Sequence, residues 1–164
     1  MRVSVIGTGY AGLSTAVGLA SKGHNVICMD IDENRVDRIK AGVSPIYEPG
    51  LEEAMKAASR EDRLDATTKL DHALRNSDVS FICVPTPSKK DGSIDLSFIE
   101  HVSRDMGKAL RDVEGYHVVA VKSTVVPDTT ERVVIPNLEE FSGRKAGEDF
   151  GAGMVPEFLR EGSA

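Results

Sequence analysis

The chain has 164 residues, 40% of them hydrophobic, which suits one globular domain with a real apolar core. Its formal net charge of −6 argues against a nucleic-acid or anionic-membrane partner. No apolar run approaches the ~20 residues of a membrane span, and no signal peptide is evident. The two cysteines lie in apolar, strand-like runs and the four histidines are scattered, so we expect reduced thiols, no metal site and a cytoplasmic protein.

Strand-like and helix-like segments alternate along the chain. Apolar and β-branched runs predict strands at 2–6, 25–30, 64–68, 78–84, 117–123 and 149–156. Helical periodicity and end signals predict helices at 13–23, 32–40, 50–61, 69–77, 95–112 and 126–140, the last interrupted near Pro136. This alternation predicts an α/β fold, a Rossmann-like, doubly wound, mostly parallel sheet with helices on both faces.

The unusual loops all follow predicted strands. They span residues 7–12, 30–35, 84–93, 123–128 and 155–161. In doubly wound sheets ligands bind at the carboxyl ends of the strands, near the point where the strand order reverses. We therefore expect these loops to form one continuous site.

A glycine-rich turn, "GTGYAG", joins the first strand to the first helix. Gly7 permits the tight turn, Gly9 lets the backbone approach a pyrophosphate, and Gly12 lets the helix pack closely on the strand. Asp30 ends the second strand, at the distance expected of an acid that binds the adenosine ribose and repels a 2′-phosphate. The pattern predicts NAD binding, although Arg35 could accommodate the phosphate of NADP.

Three further loops carry polar groups but have simpler interpretations. The prolines of Val84-Pro85-Thr86-Pro87 would hold the Thr86 hydroxyl over the cleft, or merely form a turn. Ser123 could line the cleft, or it or Asp128 could cap the next helix. Glu157 could be a general base, or simply a charge at a helix start.

Together these segments resemble the UDP-glucose/GDP-mannose dehydrogenase family. The resemblance is carried by "GTGYAGLSTAVGLASKGHNVICMDID", "SPIYEPGLEE", "SDVSFICVPTP", "VVAVKSTVVPDTT" and "VPEFLREGSA", which cover essentially the whole chain in the family's order. The combination of "EPGL", "PTP", "STV" and "PEFLREG" distinguishes this family from other Rossmann domains.

The resemblance implies roles for individual residues. It implies NAD contacts from Gly7, Thr8, Gly9, Tyr10, Ala11, Gly12, Asp30, Arg35, Val84, Pro85, Thr86, Pro87, Ser123 and Glu161. It implies catalytic roles for Thr124 and Glu157, the latter matching the glutamate that handles the hydrolytic water. Phe158, Leu159 and Arg160 match the segment whose backbone holds the nucleotide sugar.

The family reaction oxidises the C6 alcohol of the sugar to a carboxylate with two NAD, through a thioester on a cysteine. Neither Cys28 nor Cys83 matches that cysteine, and the family's central dimer helix and UDP/GDP-binding domain are not matched either. The resemblance thus implies that residues 1–164 are the N-terminal NAD-binding domain, able to bind NAD but inactive alone. It also implies that the full-length enzyme is a homodimer, whereas residues 1–164 alone could be monomeric.

The substrate is the least determined feature. We expect UDP-glucose, with GDP-mannose and UDP-N-acetylmannosamine as alternatives. Two other interpretations stay open: a β-hydroxyacid dehydrogenase making one hydride transfer, and a stand-alone NAD-sensing module.

Overall fold

The computed structural model describes residues 1–162, which form a six-stranded sheet in the order β3-β2-β1-β4-β5-β6. The strands are β1 Arg2–Ile6, β2 Asn25–Met29, β3 Leu64–Thr67, β4 Val79–Ile82, β5 His117–Val121 and β6 Phe150–Met154. Every pairing is parallel, so the predicted Rossmann-like fold is confirmed and the sheet is parallel throughout rather than mostly. The strand order reverses between β1 and β4, which places the ligand crevice there.

The helices occupy the predicted positions. They are α1 Tyr10–Ser21, α2 Glu33–Lys40, α3 Leu51–Arg60, α4 Leu70–Arg75, α5 Ser97–Leu110 and α6 Ile135–Ser142. The predicted interruption near Pro136 is a π-helical turn, Thr130–Val134, that runs into α6, where the proline occupies the first turn and needs no N–H partner. Across residues 1–162 no helix is long and apolar enough to cross a membrane.

The apolar core lies on both faces of the sheet. One cluster packs α1, α2 and α3 against β1, β2 and β3, and includes Val5, Leu13 and Met55. The other packs α4, α5 and α6 against the opposite face, and includes Ile82, Met106 and Leu138. The doubly wound prediction is therefore confirmed, because side chains from one strand alternate between the two clusters.

A buried polar chain crosses the sheet at the amino ends of the strands. Ser77 donates to Ser4 at 3.0 Å, Ser4 bonds Ser80 at 2.6 Å, and Ser80 bonds the Nε2 of His117 at 2.8 Å. Burial lowers the pKa of His117, which favours the neutral ring. His117 is thus structural, as expected, and lies at the edge opposite to the predicted site.

The loop after β1 packs closely on both the start of α1 and the loop after β4. Gly7 adopts a φ of +96°, and a Cβ there would lie 2.5 Å from the carbonyl oxygen of Cys83. A Cβ on Gly12 would lie 1.9 Å from the carbonyl oxygen of Gly7. Both positions therefore require glycine, and both bring the start of α1 to the crevice between β1 and β4.

Two alanine substitutions within α1 should change stability in opposite directions. Gly12→Ala forces backbone apart and should lower the free energy of unfolding by about 3 kcal/mol or more. Gly18→Ala, where an added Cβ meets nothing within 4 Å, should raise it by about 0.5–1 kcal/mol through helix propensity. Urea unfolding followed by circular dichroism measures both. If both substitutions changed the free energy of unfolding equally, the close approach of Gly12 to the Gly7 carbonyl oxygen would be contradicted.

Candidate functional site

A cavity of about 620 Å³ opens at the carboxyl ends of the strands. All five loops singled out in the sequence contribute to its wall. Its lining consists of Ile6, Gly7, Thr8, Gly9, Tyr10, Ala11, Met29, Asp30, Ile31, Arg35, Leu70, Cys83, Val84, Pro85, Thr86, Phe98, His101, Val102, Asp105, Lys122, Ser123, Thr124 and Glu157. The volume lies in the range usual for ligand sites.

The glycine loop forms a cradle at the N-terminus of α1. Gly9 lies on the cavity wall, and a Cβ added there would meet nothing within 4 Å, so the space before it is open. The first turn of α1 contains no acidic side chain. Its backbone N–H groups have no intrahelical partners and the helix dipole is positive at this end, so the cradle suits a pyrophosphate.

Asp30 lies beside this cradle and is held by it. Its Oδ2 accepts from the backbone N–H of Thr8 at 2.8 Å and from the Thr8 hydroxyl, and its Oδ1 accepts from the N–H of Asp32 at 3.1 Å. Each carboxylate oxygen has two acceptor positions, so Oδ1 can still accept from a ribose hydroxyl. The arrangement fits the ribose role predicted from the sequence.

Arg35 is oriented by the protein rather than free in solvent. Its Nη1 donates to the carbonyl oxygen of Thr8 at 3.0 Å, and its Nε lies 3.6 Å from Oδ2 of Asp32. Asp32 also caps α2 by accepting from Asn34 and Arg35, as predicted. Arg35 thus lies on the cavity wall and is held there by these two contacts.

Hydroxyl groups join the loops after β4 and β5 across the opposite wall. The Thr86 hydroxyl donates to the carbonyl oxygen of Thr124 at 2.8 Å, and that of Ser123 donates to the carbonyl oxygen of Val84 at 2.7 Å. The Ser123 hydroxyl is engaged with the carbonyl oxygens of Ile82 and Val84, so the alternative that Ser123 caps the following helix is wrong; Thr129 occupies the cap position there. These bonds hold both loops in one geometry.

Glu157 forms an ion pair with Lys122 at the cavity wall. Their Oε2 and Nζ atoms lie 3.2 Å apart, and the side chains are only 13% and 12% exposed. Oε1 accepts from the N–H of Leu159 at 2.6 Å. Within residues 1–162, the buried Oε2 lacks a partner at hydrogen-bond angles, despite its nearness to Nζ. The Glu157–Lys122 pair is therefore an ionic contact, and Oε2 can still accept a hydrogen bond from a ligand or water.

Six residues predicted to contact ligands lie outside the cavity wall. They are Gly12, Pro87, Phe158, Leu159, Arg160 and Glu161. Gly12 acts through helix packing, as described above, and Phe158 is 87% exposed. The contacts implied for these residues stay predictions.

The sequence did not single out several wall residues. Phe98, His101, Val102 and Asp105 come from α5, where a spacing of three and four residues places them on one helix face. That spacing was visible in the sequence, but nothing indicated that this face meets the crevice. Lys122 could have been found from its place next to Ser123 at the end of a strand.

Cys83 also lies on the wall but is poorly suited to nucleophilic chemistry. Burial raises its pKa to about 12, with Lys122 opposing and Glu157 reinforcing that shift. Cys28 is fully buried, and burial raises its pKa to about 12 as well. In the described part of the chain, 1–162, no three His, Cys, Asp or Glu side chains are grouped to hold a metal ion.

Comparison with known proteins identifies the family. The profile of the UDP-glucose/GDP-mannose dehydrogenase family, NAD binding domain, matches residues 1–164. GDP-mannose 6-dehydrogenase of Pseudomonas aeruginosa is 50% identical over 164 residues, which are all of this chain and 38% of that protein. UDP-glucose 6-dehydrogenase of Haloferax volcanii is 44% identical over the same length, again 38% of that protein.

A solved structure gives the same result. The ternary complex of GDP-mannose dehydrogenase from Pseudomonas aeruginosa superposes with a TM-score of 0.96 at 50% identity, covering 98% of this chain and 37% of that one. The chain thus spans well under half the length of the proteins it resembles.

Both thiols should resist chemical modification in the folded protein. With pKa values of about 12, each should react with 5,5′-dithiobis(2-nitrobenzoate) at pH 8 on the order of a thousandfold more slowly than a free thiol. In guanidinium both should react within minutes, which is the control. Rapid labelling of Cys83 in the folded state would contradict its assigned environment.

Proposed function

Because the chain belongs to the UDP-glucose/GDP-mannose dehydrogenase family as its NAD-binding domain, we propose that it forms the cofactor half of a nucleotide-sugar 6-dehydrogenase. The observation that supports this most strongly is the cavity itself. It combines an open glycine cradle, an acid at the proposed ribose position and a largely buried carboxylate, Glu157, in one continuous wall.

Different groups of the chain bind different parts of the cofactor. The N–H groups at the start of α1 bind the pyrophosphate, and Asp30 accepts from the adenosine ribose. NAD, once bound, supplies the hydride acceptor. Asp30 also disfavours a 2′-phosphate by charge repulsion, so we propose NAD rather than NADP, with Arg35 held by Thr8 and Asp32 instead of serving the phosphate.

Glu157 and Thr124 are the catalytic residues we propose within this chain. Glu157 has a buried acceptor oxygen on the wall, and Lys122 holds that carboxylate in place by charge. A carboxylate so placed can take a proton from an attacking water in the hydrolytic step. Thr124 lies on the same wall, where the Thr86 hydroxyl donates to its backbone carbonyl oxygen and so fixes this loop.

The proposed reaction first oxidises the C6 alcohol to an aldehyde, which a cysteine thiol outside the described cavity then captures. Cys83 has a pKa of about 12, so it is almost wholly protonated at neutral pH. Cys28 is buried in the core beneath α1, α2 and α3. We therefore propose that the nucleophile, and with it most of the sugar pocket, belongs to residues other than these 164.

The identity of the sugar nucleotide is a finer proposal. Relatives named as GDP-mannose 6-dehydrogenases are 48–50% identical to the chain, and those named as UDP-glucose 6-dehydrogenases 41–44%. This difference favours GDP-mannose over the UDP-glucose expected from the sequence. The difference is small, so UDP-glucose is the second candidate and UDP-N-acetylmannosamine the third.

Gly9→Ala should separate cofactor binding from folding. The added methyl meets no protein atom within 4 Å and the φ of −67° suits alanine, so stability should change by less than about 0.5 kcal/mol. Because the methyl enters the cradle, the Kd for NAD should rise about tenfold or more. Isothermal titration calorimetry of the chain measures this, with Gly18→Ala as the control. Absence of NAD binding by the folded parent chain would overturn the proposed cofactor role.

The substrate is tested with the intact protein expressed from its natural gene. We expect NADH formation with GDP-mannose at a kcat/KM about tenfold or more above that with UDP-glucose or UDP-N-acetylmannosamine. Two NADH should form per sugar. One NADH would indicate a single hydride transfer, as in β-hydroxyacid dehydrogenases, and binding without turnover of any sugar nucleotide would favour a sensing module.

A further inference from the structure

A buried carboxylate outside the cavity wall joins two parts of the site. The hydroxyl of Tyr10 donates to Oε2 of Glu48 at 2.8 Å, and the N–H of Gly162 donates to the same oxygen at 2.7 Å. The Tyr10 hydroxyl also lies 2.8 Å from the carbonyl oxygen of Arg160, so its one proton is shared between two acceptors. The cluster therefore ties the start of α1 to residues 160–162.

The environment of Glu48 makes these contacts strong. Only 8% of its surface is exposed, and a buried charge requires hydrogen-bond partners to offset its lost hydration. Hydrogen bonds to a carboxylate are about twice as strong as those between neutral groups. Partial burial raises the pKa of Tyr10, the hydrogen bond and charge of Glu48 raise it further, Glu161 adds a smaller contribution, and the Gly162 backbone opposes.

The segment that follows β6 is held at two places. Near its start, Val155 donates to the carbonyl oxygen of Val121 at 2.8 Å, and Glu157 pairs with Lys122. Beyond Glu157 the chain runs over the surface, where Phe158 is 87% exposed. The second place is Glu48, which is 114 positions earlier than Gly162. The stretch from 157 to 162 is thus attached to Lys122 near its start and to Glu48 at its end.

Tyr10 connects this second attachment to the cofactor cradle. It is the first residue of α1 and lines the cavity together with Gly9 and Ala11. If the cradle changes position, the Tyr10 phenol moves with it. Glu48 and the backbone of Arg160 both contact that phenol, so they are affected as well. Conversely, loss of the attachment leaves the phenol without the contacts that orient it.

We propose that Glu48 is a positioning residue that anchors the 157–162 segment to the first turn of α1, so that the dinucleotide cradle and the segment carrying Glu157 keep one geometry. This inference rests on the proposed function only in that NAD is taken as the ligand of the cradle. The anchor itself is a property of the protein without ligand. Glu48 is not itself a residue of the cavity wall, and it acts through its contacts with Tyr10, which is one, and with Gly162.

Amide hydrogen exchange of Gly162, followed by NMR on the 164-residue chain, tests the anchor directly. Glu48→Ala removes the acceptor, and exchange at Gly162 should accelerate at least about tenfold while core amides in β1 and β4 stay protected. Glu48→Gln keeps an acceptor oxygen without the charge, so it should restore much of the protection. Glu53→Gln, an exposed neighbour on α3, should change nothing. Unchanged exchange at Gly162 in both Glu48 variants would overturn the proposal.

A spectroscopic measurement covers the case in which Glu48→Ala fails to fold. In the Glu48→Gln protein the loss of the negative charge should lower the pKa of Tyr10, seen as tyrosinate absorbance near 295 nm appearing at lower pH. Subtraction of the Tyr10→Phe titration assigns the signal to Tyr10 among the three tyrosines. A Tyr10 titration identical in parent and Glu48→Gln would contradict the contact.

The link to the cofactor is measured on the same variants. NAD should slow chymotryptic cleavage after Phe158 in the parent chain, and this protection should fall about threefold or more in Glu48→Ala and in Tyr10→Phe. Equal protection in parent and variants would overturn the coupling. If the parent binds no NAD, the proposed function fails, whereas the Gly162 and Tyr10 results still decide the anchor.

Discussion

The close approach of α1 to the loop after β1 is the constraint on which the site depends. Neither Gly7 nor Gly12 has room for a side-chain atom, since a Cβ on either would lie within 2.5 Å of a backbone carbonyl oxygen. With those atoms absent, the helix N-terminus faces the crevice where the strand order reverses. The partial positive charge of the helix end then lies at the cavity wall formed by Gly9, Tyr10 and Ala11.

Polar contacts between loops keep the rest of the cavity in shape without a ligand. Thr8 and Asp30 join the loops after β1 and β2, and the hydroxyls of Thr86 and Ser123 join those after β4 and β5. Loops ordered in this way lose little conformational freedom when a cofactor binds. The Lys122–Glu157 pair adds a charge couple at the end of the wall where the loops after β5 and β6 meet.

Much of this could be predicted from sequence, because the signals are local. The strand and helix positions follow from apolar periodicity, and the glycine loop with Asp30 lies within one strand–helix–strand unit. Asp32 was correctly predicted as a helix cap from its place before α2. Ser123 shows the limit of such reasoning. Its neighbours in sequence allowed either a cap or a wall residue, and only the position of Val84 on the neighbouring loop decides between them.

The sequence by itself determined the fold class, the family and the cradle, since each depends on residues close together in the chain. The tertiary structure alone decided which charges meet. Lys122 and Glu157 are brought together by neighbouring strands, and Glu48 reaches Tyr10 and Gly162 from 38 and 114 positions away. The face of α5 that completes the wall is likewise selected by how that helix packs on the sheet. Contacts of this kind depend on the relative positions of whole elements, which no local pattern specifies.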